Sequence, residues 1–189
     1  MVFSIAITIL VLAIAVPSIS IPLHEALREL WPDFFGYFIS FSFIGGIWIS
    51  HSNLTHLMKR GDLIAYGLNL VILLFVTLLP FTTRVMVIHI FTPDAALVYG
   101  LNALIASLAL SLLMFYFARQ PRLMVDELFD ETLKRMYRQR RFATGVGAFA
   151  VILALVAPLV AIVLYLVEAL ILLVLPLLGM HRARRKTEL

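Results

Sequence analysis

The stretch Leu63 to Val87, LIAYGLNLVILLFVTLLPFTTRVMV, carries one charge, Arg84, over more than the ~20 residues that cross a bilayer as a helix. Five further apolar runs flank it, at 1–21, 34–58, 95–118, 142–157 and 159–180. The composition agrees, with 62% hydrophobic and 14% charged residues and a mean hydropathy of +1.03. A soluble chain of 189 residues has no core large enough to hide that much apolar surface. The expected fold is therefore all-α and polytopic. It is a single domain of six transmembrane helices over residues 1–189, with lipid as its main solvent.

The polar breaks between the runs set the expected orientation. Lys59 and Arg60 lie in the second break. Arg119, Arg122, Lys134, Arg135, Arg138, Arg140 and Arg141 lie in the fourth, and Arg182, Arg184, Arg185 and Lys186 in the tail. Placing these breaks and the tail on one side gathers 13 of the 15 Lys and Arg there. The positive-inside rule then puts both termini in the cytoplasm. The basic balance needs no nucleic-acid partner. The first run has no basic segment before it and reads as a retained helix rather than a signal peptide. The long run from Phe142 to Met180 is broken mainly by Pro158, which lacks a donor and disfavours helix just before it. A tight hairpin is expected there.

Within the fourth break, Val125, Leu128, Phe129, Thr132, Leu133 and Met136 recur at three and four residues among charged positions. Residues 122–138 thus read as an amphipathic cytoplasmic helix, acidic at its start and basic at its end. It is either an extension of a neighbouring span or a lipid- or partner-binding segment.

Few residues could carry chemistry. The chain has no cysteine, which excludes disulfides and thiolate sites. No metal, cofactor or enzyme motif is present. On the first helix Ser4 and Thr8 share a face, and Ile5, Thr8, Leu12 and Ala15 form one stripe. That stripe could line a narrow pore if several copies surround an axis, or pack against a neighbouring helix. Trp48 and His51 share a face of the second helix and need polar partners at membrane depth. Asn69 is suited to an interhelical hydrogen bond. Glu168, inside the sixth run, is either a functional intramembrane acid or a hydrogen-bonded structural residue beside Tyr165.

The run from Phe3 to Leu12 resembles the first helix of prokaryotic homologues of transmembrane protein 175, the endolysosomal potassium channel. Ser40-Phe41 and Trp48-Ile49-Ser50-His51 are similar to that family's second-helix patterns. Leu68-Asn69-Leu70 and Leu79-Pro80-Phe81 are similar to those of its third helix. The match is specific over residues 2–83. The resemblance implies a potassium-permeable homotetramer in the membrane of a prokaryotic cell, without the P-loop filter of ordinary potassium channels and without a cofactor. Four copies of the first helix would line the pore. Ile5 would form the constriction, with Ser4 at its level and Thr8 and Leu12 further along, while Trp48 and His51 would brace this helix from behind. The family's Arg-x-x-x-Phe-Ser-Asp motif does not occur here, so an upstream extension of the native polypeptide is expected. The rival functions are an ion-coupled small-solute transporter built on Glu168 and His51, and a non-conducting structural relative.

Overall fold

The computed structural model describes residues 2–14, 22–124 and 129–187, with backbone only for 121, 129–135 and 178–187. Seven helices occur among the described residues: α1 (Val2–Leu12), α2 (Leu23–Glu29), α3 (Trp31–His56), α4 (Leu63–Ile88), α5 (Pro93–Ala118), α6 (Phe129–Ala154) and α7 (Pro158–Thr187). Four of them, α3, α4, α5 and α7, are long and apolar enough to cross a membrane.

Local chemistry sets the helix starts. The Asp62 carboxylate accepts from the Ala65 amide at 3.0 Å and caps α4. The Tyr116 hydroxyl also donates to Asp62. That bond first, and the Ala65 amide second, hold its carboxyl below the usual carboxylate range. Proline stands at the first turns of α3 and α5 and opens α7, where a missing donor costs nothing.

Several boundaries differ from the sequence reading. α1 ends at Leu12 rather than continuing through the apolar run, and residues 15–21 lie outside the described residues. Hydropathy measures the solvent a segment prefers and says little about where its helix stops. Of the segment 122–138, the described part from residue 129 continues as α6 into the fifth apolar run, as the extension reading expects. A short 3-10 turn covers Pro121–Leu123, and residues 125–128 are outside the described ones. α7 extends past Met180 to Thr187, through the basic tail.

Helices α3, α4, α5, α6 and α7 form a closed ring in which each packs on the next and α7 returns to α3, while α1 lies against α3 and α4. Small residues allow the close approaches. A Cβ on Gly46 of α3 would lie 2.7 Å from the Leu172 backbone of α7. On α6, Ala143, Ala150 and Ala154 are fully buried on the face that also carries Gly147, the small-residue spacing of close-packed membrane helices. Large apolar side chains such as Leu63, Phe81, Ile152 and Val156 point outward, as expected where lipid replaces water.

The two ends of the bundle are tied separately. At one end the Lys59 amide donates to the Leu123 carbonyl at 2.8 Å, which joins the α3–α4 and α5–α6 connections. At the other, Arg84 of α4 pairs with Asp33 of α3. The second and fourth polar breaks therefore share an end, the arrangement the charge pattern requires.

Candidate functional site

Helix α1 has two chemically distinct faces. Phe3, Ala6 and Leu10, at a spacing of three and four, are buried against the ring. Ser4, Ile5, Thr8 and Leu12 lie exposed on the opposite side, with Ile5 at 55% and Leu12 at 80%. The Thr8 hydroxyl donates to the Ile5 carbonyl at 2.8 Å. Its single proton is thereby used within the helix, and its oxygen lone pairs are left to face outward. The four residues singled out from the sequence thus form one continuous stripe of branched apolar and hydroxyl groups, left exposed among the described residues.

His51 and Asn69 are brought together behind that stripe. His51 Nε2 lies 2.7 Å from Asn69 Oδ1. An amide oxygen only accepts, so the ring carries its proton on Nε2. The ring of Phe3 packs on the same imidazole, with centroids 5.5 Å apart. His51 therefore links α3 to α4 by a hydrogen bond and to α1 by an aromatic contact. Trp48 does not join this brace. It is 52% exposed and has no hydrogen bond among the described residues. A three-residue step leaves two side chains about 60° apart around a helix, enough to turn one inward and the other toward the rim.

Pro80 sits inside α4, where its missing amide frees a carbonyl. The freed carbonyl is that of Val76, and Asn102 of α5 bonds its neighbour on the same turn. Its amide group donates to the Phe75 carbonyl at 3.1 Å and to Thr82 Oγ1 at 3.3 Å. Ser40, part of the Ser-Phe pair, lies buried 2.7 Å from Thr83 Oγ1 and 3.2 Å from the Tyr99 hydroxyl. These bonds join α3, α4 and α5, while the buried Asn102 Oδ1 has no hydrogen-bond partner among the described residues.

Glu168 lies on the other side of the ring and is 1% exposed. It packs against Gly147, where a Cβ would meet the carboxylate at 2.3–2.6 Å. The sequence offered no partner for it beyond Tyr165, and the structure supplies Arg140. This arginine was counted among the cytoplasmic charges but is 2% exposed within the bundle, in Coulombic range of Glu168 without a direct ion pair. Its Nη2 reaches Ser107 Oγ at 3.5 Å, and Ser107 Oγ lies 3.0 Å from Thr144 Oγ1. Arg140 Nε and Nη1 and Glu168 Oε1 have no hydrogen-bond partner among the described residues. Tyr165 bonds elsewhere, its hydroxyl donating to the Ala96 carbonyl at 3.1 Å. The cavity beside Arg140, lined also by Ser50 and Gln139, measures about 20 Å³. That is room for a water and far below the roughly 300 Å³ of a small-molecule site. Arg140 was missed because a basic residue near a helix end reads first as an interfacial charge. Its signal was its position one turn before the small-residue face of α6.

Among the described residues, no cluster of three or more His, Asp or Glu could hold a metal ion.

Comparisons with known proteins show what the chain is similar to. Residues 1–80 match the family described as the endosomal/lysosomal potassium channel TMEM175. A potassium channel of Chamaesiphon minutus is 30% identical over 82% of this chain and 80% of its own length. A potassium channel of Streptomyces collinus is 34% identical over 76% and 72%. The crystal structure of a lysosomal potassium-selective channel TMEM175 homolog from Chamaesiphon minutus superposes with a TM-score of 0.80 at 26% identity, covering 90% of each chain.

Proposed function

We infer that this chain, which belongs to the TMEM175 family, is a subunit of a potassium-permeable membrane channel. The observation that carries the reading is the outward stripe Ser4, Ile5, Thr8 and Leu12, held in place from behind by His51, Asn69 and Phe3. In this reading α1, α3, α4, α5, α6 and α7 are the six spans of one transmembrane domain. Four copies surround an axis, and their α1 helices face it. The ring of Ile5 side chains forms a narrow apolar neck, and Ser4 at its level and Thr8 one turn further along present oxygen to a potassium ion. Wetting and dewetting of that neck gates conduction. His51 and Asn69 position α1, and Glu168 acts within the subunit rather than along the pore. Both termini lie in the cytoplasm and the assembly resides in the cell membrane, because the basic end of the bundle then faces inward.

Potassium efflux from liposomes containing the purified protein tests the reading. Wild-type protein passes potassium, and Ile5→Asn raises the leak and weakens discrimination against other cations. A wild-type protein that assembles yet passes no ion would overturn it. Reporter fusions at the tail and in the Glu25–Asp33 connection test the topology and should report opposite sides.

A further inference from the structure

A second feature lies on the outer wall of the bundle, away from α1. Leu108, Leu112, Phe115 and Arg119 follow one face of α5 at steps of four, three and four. Tyr137, Arg141 and Thr144 follow the facing side of α6. Between the two helices runs a groove of about 320 Å³, lined by Leu108, Leu112 and Phe115 on α5 and by Tyr137, Arg141 and Thr144 on α6. Its mouth is built from charge and aromatic rings. Phe115 and Tyr137 stack with centroids 6.1 Å apart at 27°. The Arg119 guanidinium lies 4.3 Å from the Phe115 ring centre, and that of Arg141 lies 5.7 Å from the Tyr137 ring centre. Arg141 starts one turn deeper than Tyr137 and folds back toward it, as a long basic side chain does to bring its charge to the interface.

Two cations therefore flank a stacked aromatic pair, above an apolar channel that continues into the bilayer. Both arginines are exposed, and the channel opens sideways, where lipid is the surrounding medium. Basic pockets between membrane helices at the interface suit anionic head groups. The charge at the mouth and the apolar floor below it match the two halves of one molecule. We propose that this α5–α6 groove binds an anionic glycerophospholipid, its phosphate between Arg119 and Arg141 and one acyl chain along Leu112 and Leu108. Ser111 and Thr144, on the floor, mark where the polar linkage gives way to the chain. This site is independent of conduction. It lies at the end of the bundle placed in the cytoplasm above, so the lipid comes from the inner leaflet.

Native mass spectrometry of the intact, detergent-solubilised protein, titrated with phosphatidylglycerol or phosphatidylcholine, tests the site without any flux measurement. The wild type should retain phosphatidylglycerol in preference to phosphatidylcholine. The Arg119→Ala/Arg141→Ala double variant should bind phosphatidylglycerol about 30-fold more weakly, roughly fivefold for each basic residue lost, with phosphatidylcholine binding unchanged. Leu112→Trp keeps the charges but fills the channel, and should also lower phosphatidylglycerol occupancy. It provides the second arm if the double variant fails to fold. Lys59→Ala/Arg60→Ala removes two charges elsewhere at the same end and should leave occupancy unchanged. Equal phosphatidylglycerol binding by wild type, double variant and Leu112→Trp would overturn the proposal. So would an equal loss in the Lys59/Arg60 variant, which would indicate unspecific attraction. Loss of the oligomer in Leu112→Trp with unchanged lipid occupancy would assign the groove to a neighbouring copy instead.

Discussion

The two sides of the helix ring handle polar groups in opposite ways. On the α1 side, hydroxyl and branched apolar groups face outward, and the polar brace behind them is complete: one imidazole, one amide and one aromatic contact. On the α5–α6–α7 side, the carboxyl group of Glu168 and the guanidinium of Arg140 are turned inward, each with atoms that meet no partner among the described residues. With the pore placed along α1 as proposed, the buried intramembrane charges lie away from the permeation path. The intuitive marker, a buried acid, sits in a closed packing site. The proposed pore face, by contrast, carries no charge.

Substitutions at the buried charges should have the largest effect. Arg140→Leu leaves Glu168 buried without its counter-charge and should destabilise the protein by about 3 kcal/mol or more, whereas Arg140→Leu/Glu168→Leu should recover most of that loss. Denaturant unfolding in micelles measures both. If the double variant were as unstable as the single, Arg140 and Glu168 would not be a coupled pair. Gly46→Ala comes next, since its Cβ would lie 2.7 Å from the Leu172 backbone. Forcing α3 from α7 should cost about 1–3 kcal/mol, seen as a lower melting temperature with the fold otherwise intact. A smaller effect is expected from His51→Ala, about 0.6–2 kcal/mol for one interhelical bond. It should loosen the α1 side alone, lowering assembly stability before ion discrimination changes. His51→Ala protein that melts and assembles normally would remove the brace from the account.

Much of this was legible in the chain because lipid imposes simple rules. Apolar length marked α3, α4, α5 and α7, and Pro158 marked the turn into α7. His51 and Asn69 were each legible as needing a partner at membrane depth, but that they meet each other was not. What was not legible depended on direction around a helix and on contacts between distant segments. Trp48 and His51 share a face by spacing, yet only the packing of α1 and α4 decides which of them turns inward. Arg140 sits beside Arg141 in a basic run, and one residue's rotation separates a charge locked in the bundle from one that reaches the interface. Asn102 gave no sign in its own neighbourhood that it would bond to the Phe75 carbonyl and Thr82, because they lie on a different helix.

Thiol modification of potassium-conducting liposomes tests the α1 assignment most directly, since the chain has no cysteine of its own. Single cysteines are placed in turn at Ile5, Thr8 and Leu12, and at Ala6 and Leu10 on the buried face. A water-soluble, positively charged thiol reagent is then added during potassium efflux. Block at positions 5, 8 and 12, with none at 6 and 10, is the predicted result. Block that ignores the face of the helix, or efflux untouched at all five positions, would contradict a pore lined by α1.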